Sequence, residues 1–142
     1  MAYYSRTLKM PFQQVLNKVT ENLEHQGFGV ITTIDVQDTF RKKLNVGFRK
    51  YKILGVCNPE FAYKAISLES HMGVMLPCNV VIQEHENGEV EVSAINPLEN
   101  LDKTLNTSQL IQLATEIGIR LRAAVDYIQR EPPKIHSDAL PV

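Results

Sequence analysis

The chain has 142 residues, of which 44% are hydrophobic and 22% charged, and its formal net charge is −1. This length fits one domain, and the small net charge argues against a protein drawn to nucleic acid or to an anionic membrane. No segment approaches the ~18 consecutive apolar residues of a membrane span, and the first residues lack the apolar run of a signal peptide. We therefore predict a cytoplasmic protein, in which two cysteines favour free thiols, a metal or redox chemistry over a structural disulfide.

The first half of the chain alternates predicted strands with predicted helices. Strands are predicted over residues 3–9, 28–34 and 50–56, where β-branched side chains are frequent. The first helix begins near Pro11 and carries one apolar stripe made of Phe12, Val15, Leu16, Val19 and Leu23. Asp35 is a predicted N-cap for a helix over residues 36–44, and Asn58 caps a third helix that opens at Pro59.

The second half predicts a hairpin followed by a long helix. Residues 73–76 form a predicted short strand before Pro77, and strands over 79–84 and 89–94 flank Asn87-Gly88, a strong hairpin signal. In the last strand Val90, Val92 and Ala94 share one side, so the other side is expected to face water. A helix capped by Thr107 or Ser108 runs to about Arg130, with an apolar stripe along its length.

This order of elements predicts an α+β fold. We expect a mainly antiparallel sheet covered by helices, including the long C-terminal one. The single domain is expected to span residues 1–131. Residues 132–142 lack periodicity and are expected to form a flexible tail.

Two cysteine segments are the most distinctive feature of the sequence. Cys57 is predicted to end a strand directly before a helix, where backbone amides and the helix dipole stabilise a thiolate. Cys78 lies 21 positions later and is likewise followed by an asparagine. If the two flanking strands are neighbours, the thiols could meet; the alternative is that each is a small buried hydrophobe.

Several side chains near the cysteines are candidates for a pocket. Tyr51 and Tyr63 could wall an apolar pocket or pack in the core. Asn58 and Asn79 could contact a ligand or satisfy backbone groups in turns. His71 could pair with a cysteine or lie exposed in a loop. The cysteine spacing matches no common metal motif and a metal would need two further ligands, so no metal or cofactor is predicted.

A basic cluster lies on one face of the second predicted helix and continues in the residues after it. Its anion-binding candidates are Arg41, Lys42, Lys43 and Arg49, and the alternative is a solvated surface. Few aromatic residues interleave with these cations, which makes nucleic-acid binding a poor interpretation. The chain has no Walker loop, GxGxxG, HExxH or GxSxG motif, so the common cofactor and hydrolase signatures are missing, and whether it is an enzyme stays open.

The stretches YKILGVCNP (51–59), AYKA (62–65), MLPCNVV (75–81) and SAINP (93–97) resemble the domain of unknown function 302 family. The resemblance implies a TATA-box-binding-protein-like α+β fold, with a curved antiparallel sheet and a long C-terminal helix. It also implies a small prokaryotic protein that self-associates, here as a homodimer, and it implies no established activity. Asn96 stands where the family commonly has aspartate, so we assign it no catalytic role.

Three hypotheses about function follow from the sequence. The leading one is a module that binds or senses a small ligand, with its pocket near Cys57 and Cys78. The alternatives are a thiol-dependent redox protein or enzyme that uses Cys57, and a structural homo-oligomer without chemistry. The expected partners are a second copy of the chain and a small molecule, with no nucleic acid and no membrane.

Overall fold

A single antiparallel sheet organises the part of the chain that the structure, a computed structural model, describes, which is residues 1–128. Its strands are β1 (Tyr3–Leu8), β2 (Gly29–Asp35), β3 (Tyr51–Cys57), β4 (Cys78–Glu84) and β5 (Val90–Ile95). They lie in the order β1-β5-β4-β3-β2, and every neighbouring pair is antiparallel. The predicted α+β class is confirmed.

The helices begin at the residues that the capping signals indicate. They are α1 (Phe12–His25), α2 (Val36–Leu44), α3 (Pro59–Leu68) and α4 (Ser108–Asp126). The Asp35 side chain accepts a hydrogen bond from the Asp38 backbone N–H at 3.0 Å, and Thr107 accepts one from Leu110 at 3.3 Å, as N-caps do. Helix α4 ends before the predicted boundary; Arg130 and the predicted tail lie outside the described residues.

The predicted strand over residues 73–76 is wrong. A 3₁₀ helix, Ser70–Met75, occupies this position, and the Glu69 side chain caps it by accepting a hydrogen bond from the backbone N–H of His71. A short apolar run does not by itself distinguish a strand from a helical turn. Here the apolar side chains Met72 and Met75 are three residues apart, and that spacing puts them on one side of a 3₁₀ helix.

The main hydrophobic core lies between one face of the sheet and helices α1 and α4. Val90, Val92 and Ala94 of β5 are fully buried, while the residues between them are half-buried, which confirms the predicted alternation. The apolar stripes predicted for α1 and α4 supply the other side of this core. The two helices are also joined directly, because the Asn22 side chain donates a hydrogen bond to the Ala124 carbonyl at 3.0 Å.

A second, smaller core lies beyond the end of the sheet at which β3 stops and β4 starts. Helix α4, about 28 Å long, extends past the main core, and its first turns pack with α3 and the 3₁₀ helix Ser70–Met75. The buried members of this cluster are Ala65, Met72 and Leu110. Helix α4 therefore connects the two cores. Within residues 1–128 no helix is both long enough and apolar enough to cross a membrane.

Gly55 in β3 allows the chain to pack closely where the two cysteine segments approach each other. It lies opposite Asn79 of β4 and, through an irregularity in β2, opposite Thr32. A Cβ at this position would collide with the Thr32 hydroxyl and lie 2.9 Å from Cγ of Pro77, the residue before Cys78. Only a residue without a side chain fits there.

We predict that Gly55→Ala lowers the free energy of unfolding by about 1–3 kcal/mol, the usual cost of overpacking. Gly29→Ala is the matched control, because it also lies in a strand and a Cβ there would have no atom within 4 Å. Urea denaturation of the two variants and the wild type measures the difference. Equal stability of the two variants would show that the Thr32 and Pro77 contacts do not constrain the chain.

Candidate functional site

A cavity of about 60 Å³ lies at the sheet end, between the main core and the smaller core. The sheet end contributes Phe28, Val56, Cys57, Cys78 and Ile95; α3 and its cap contribute Asn58, Phe61, Ala62 and Ala65; and the following segment contributes Met72, Met75 and Leu76. Helix α4 and the loop before it form the remaining wall. The walls are largely apolar, with the amides of Asn58 and Asn100 and the two thiols as the polarisable or polar groups.

The strand register brings the two cysteines to this cavity. Val56 pairs with Cys78 across β3 and β4, so Cys57 is one residue out of register with Cys78. The two Cα atoms are therefore roughly 6 Å apart. Both cysteines are free thiols. Successive residues of a strand point to opposite faces, so the Cys57 and Cys78 Cβ atoms diverge, which disfavours a disulfide despite the short Cα separation.

The two thiols have different environments. Cys78 is 7% exposed, and this burial, with a smaller contribution from the neighbouring Cys57, raises the pKa of its thiol to about 11. Cys57 is half-buried and directly precedes the cap of α3. Of the two, Cys57 is therefore the thiol that solvent and small reagents reach more readily.

The α3 wall is held by Asn58. Its Oδ1 accepts hydrogen bonds from the backbone N–H groups of Glu60 at 3.1 Å and Phe61 at 3.2 Å, so Asn58 caps the helix as predicted. Its amide nitrogen also packs on Gly27, since a Cβ on that glycine would lie 2.8 Å from it. The turn between α1 and β2 thus contacts the N-terminal end of α3, next to Cys57.

Arg120 of α4 also contacts α3 and the turn between α1 and β2. Its guanidinium lies 5.2 Å from the centre of the Phe61 ring, donates a hydrogen bond to the Gln26 carbonyl at 3.3 Å, and pairs with Glu116 at 3.2 Å. No sequence pattern indicated Arg120, because an arginine four residues after a glutamate on a helix is typical of any solvated face. Its contacts with Phe61 and Gln26 are set by the tertiary fold.

Asn100 lines the cavity itself, and no sequence pattern indicated it. Its side-chain amide donates hydrogen bonds to the Ala2 carbonyl at 2.9 Å and to the Asn96 carbonyl at 2.7 Å. These bonds hold the loop after β5 against the start of the chain. Asn96, which was given no catalytic role, helps by donating to the Met1 carbonyl at 3.0 Å.

Four of the predicted pocket candidates do not line the cavity. Tyr51 begins β3, at the opposite end from Cys57, and Tyr63 is 76% exposed on α3. His71 is exposed and pairs with Glu69 at 2.8 Å, and Asn79 is exposed opposite Gly55. The structure thus brings together Cys57, Cys78 and Asn58 from the predicted set.

The basic cluster is largely engaged with neighbouring groups. Arg41 and Lys42 pair with the Asp38 carboxylate at 2.5 and 2.8 Å, and these bonds, with that of Lys42 the stronger influence, lower the pKa of Asp38. Arg49 donates to the Gln83 side chain at 3.0 Å and lies 4.5 Å from the centre of the Phe48 ring. Lys43 is exposed. Two of the four anion-binding candidates are thus already paired with a carboxylate.

A separate polar cluster lies on the sheet face opposite the main core. Glu91 of β5 accepts a hydrogen bond from Ser5 and contacts His85 Nε2 at 2.8 Å. The Ser5 bond and, to a smaller extent, His85 lower the pKa of Glu91. These residues alternate with the fully buried positions of β5, so they are remote from the cavity. Among residues 1–128 no group of three or more His, Cys, Asp or Glu side chains could hold a metal ion.

Comparisons with known proteins identify the family but no activity. The family model "Domain of unknown function DUF302" matches residues 4–128, as the cysteine segments predicted. A similar solved structure is that of an uncharacterized conserved DUF302 protein from Bacillus stearothermophilus, with 27% identity and a TM-score of 0.82. The match covers 91% of this chain and 99% of that one. No curated protein matches the sequence at a significant level.

We predict that the buried Cys78 thiol makes the fold sensitive to alkali. The unfolded thiol ionises near its ordinary pKa of 9.0 and the folded one near 11, so its stabilising contribution is complete below about pH 9 and is lost as the pH rises to about 11. The loss is roughly 2–3 kcal/mol. Urea denaturation of the reduced protein at pH 8 to 11 measures it.

The control for this prediction is Cys78→Val, which keeps an apolar side chain of similar size at the same position. All other titrating groups are common to both proteins, so the difference between their stability profiles isolates the thiol. We expect the variant to lose less stability above pH 9 than the wild type. Parallel profiles would contradict a strongly desolvated Cys78.

Proposed function

We propose that this chain, which belongs to the DUF302 family, is a module that binds or senses a small ligand in the cavity beside Cys57 and Cys78. The observation that supports this most is the cavity itself, which lies between two separate cores and contains both cysteines. Protein interiors are close-packed and have few voids larger than a water molecule. A cavity with apolar walls and a few polar groups is the usual form of a small-molecule site.

The size of the cavity limits the ligand. An engineered cavity of about 150 Å³ accommodates benzene, whereas this one measures about 60 Å³. In the described conformation the ligand is therefore smaller than benzene, or is a single ion. A drug-sized molecule would require the α3 wall to move outward.

The two-core arrangement suggests how binding would be sensed. The smaller core has three buried side chains, Ala65, Met72 and Leu110, whereas the main core is extensive. Segments with few buried apolar contacts open at low free-energy cost. A ligand bound between the cores would favour the closed arrangement of α3 and the 3₁₀ helix Ser70–Met75 by mass action. Ligand binding would therefore change the arrangement of the surface that α3 and the 3₁₀ helix Ser70–Met75 form.

The thiol chemistry favours binding over a redox pair formed by Cys57 and Cys78. A redox pair requires the second cysteine to act as a thiolate, and burial keeps Cys78 protonated near neutral pH by raising its pKa to about 11. The divergent strand positions of Cys57 and Cys78 add a geometric obstacle. The homodimer and the cytoplasmic location stay predictions from the sequence.

The binding proposal is tested by filling the cavity. Ala114 of α4 lines it and is buried, so we predict that Ala114→Val occupies part of its volume and weakens ligand binding at least tenfold. The probes are a set of molecules no larger than benzene, including short alcohols, short carboxylic acids and small thiols. Amide chemical shifts of the cavity residues report binding.

Ala123→Val is the matched control, because Ala123 lies on the same helix, is half-buried and does not line the cavity. This variant should bind as the wild type does, while both variants carry the same small loss of helix propensity. If no probe shifts the cavity amides of the wild type, or if the shifts persist in Ala114→Val, the cavity is not the binding site.

A further inference from the structure

Sulfur is concentrated around the cavity. The chain has two cysteines and four methionines, and both cysteines together with Met72 and Met75 line this one cavity of about 60 Å³. Cys78 and Met72 are buried, and Cys57 and Met75 are half-buried. The other residues of the lining include no histidine, aspartate or glutamate. The donor atoms available to a bound ion are therefore mainly sulfur.

The local structure presents the two methionines on one side. Met72 and Met75 are three residues apart in the 3₁₀ helix Ser70–Met75, and side chains at this spacing are eclipsed. Three residues after Met75 the chain enters β4 at Cys78. Cys78 pairs across the sheet with Val56, the residue before Cys57. The segment Met72 to Cys78 thus carries a sulfur at every third residue, whereas Cys57, at the end of β3, points to the opposite face of the sheet from Cys78.

The chemistry of this donor set discriminates among metal ions. Thiolate and thioether sulfur are soft ligands and favour Cu(I), whereas Cu(II) favours nitrogen and oxygen in a tetragonal arrangement. Zn²⁺ sites use cysteine, histidine and carboxylate ligands, usually four of them. The cavity offers two such ligands, Cys57 and Cys78, and the nearby His71 is engaged with Glu69 outside it. Thioether sulfur from methionine completes the set for Cu(I).

We propose that the cavity binds one Cu(I) ion through the thioether sulfurs of Met72 and Met75 and the thiolate of Cys78, which releases its proton to solvent on binding. This inference rests on the proposed function, because it names the ligand class of the same cavity. A single ion fits the small volume that excludes larger ligands. The surrounding apolar side chains limit access of water and of the oxygen and nitrogen ligands that would favour other metals or oxidised copper.

The test is a competition titration of the reduced full-length chain with Cu(I)–bicinchoninate under anaerobic conditions. We expect one Cu(I) per wild-type chain. The double variant Met72→Leu/Met75→Leu keeps the apolar volume, which usually costs little stability, and removes both thioethers; we expect its affinity to fall at least tenfold. Cys78→Val should weaken binding by at least as much. Thermal unfolding of every variant establishes that it is folded.

Met10→Leu is the matched control, because Met10 packs against the main core and does not line the cavity. Its Cu(I) affinity should equal that of the wild type. The proposal is overturned if the wild type binds no Cu(I), if the double methionine variant binds as tightly as the wild type, or if Met10→Leu is weakened equally. If the wild type binds no Cu(I) but still binds small organic probes in a way that Ala114→Val weakens, only the Cu(I) proposal is refuted. If it binds neither Cu(I) nor the organic probes, the proposed function is refuted as well.

Discussion

The antiparallel pairing of β3 with β4 is the constraint on which the site depends. It sets Leu54 opposite Val80 and Val56 opposite Cys78, and these core-facing side chains are all buried. A slip of one residue would turn each of them to the other face. The hydrophobic core therefore holds the register, and the register determines where Cys57 and Cys78 lie. The position of the thiols is in this sense a consequence of core packing along β3 and β4.

The second constraint is that α4 serves two cores at once. Its C-terminal half covers the sheet, with Leu121 and Val125 fully or almost fully buried, and its N-terminal half packs on α3 and the 3₁₀ helix Ser70–Met75. The cavity lies where these two packings meet. Arg120, near the junction, joins α4 to Phe61 and to the α1–β2 turn. The cavity walls are thus tied to the main core through α4 and Arg120.

Local sequence patterns predicted the elements of this fold well, because their signals are short-range. The apolar stripes of α1 and α4, the Asn58 cap and the Asn87-Gly88 hairpin each depend on residues a few positions apart. The error at residues 73–76 arose where the apolar run was too short to show a period. The 3₁₀ geometry there depends on Glu69, which caps the turn through its side chain.

The composition of the site was less accessible to sequence reasoning. Cys57, Asn58 and Cys78 could be anticipated from their position next to predicted element boundaries. Tyr63 and His71 are near them in sequence, but side-chain direction on α3 and on the 3₁₀ helix turns both toward solvent. Asn100 reaches the site through the tertiary fold, so no local pattern indicated it. Met72 and Met75 share a side because their segment is helical, whereas the sequence predicted a strand there.

The most direct test of a sulfur-lined binding cavity is a titration followed by the methyl signals of the four methionines. The reduced protein would carry ¹³C-labelled methionine methyl groups, assigned by single replacements with leucine, and Cu(I) would be added without oxygen. We expect the signals of Met72 and Met75 to move and to saturate at one ion per chain, while those of Met1 and Met10 stay in place. Movement of Met1 or Met10 instead, or no movement of the cavity pair, would contradict binding at this site.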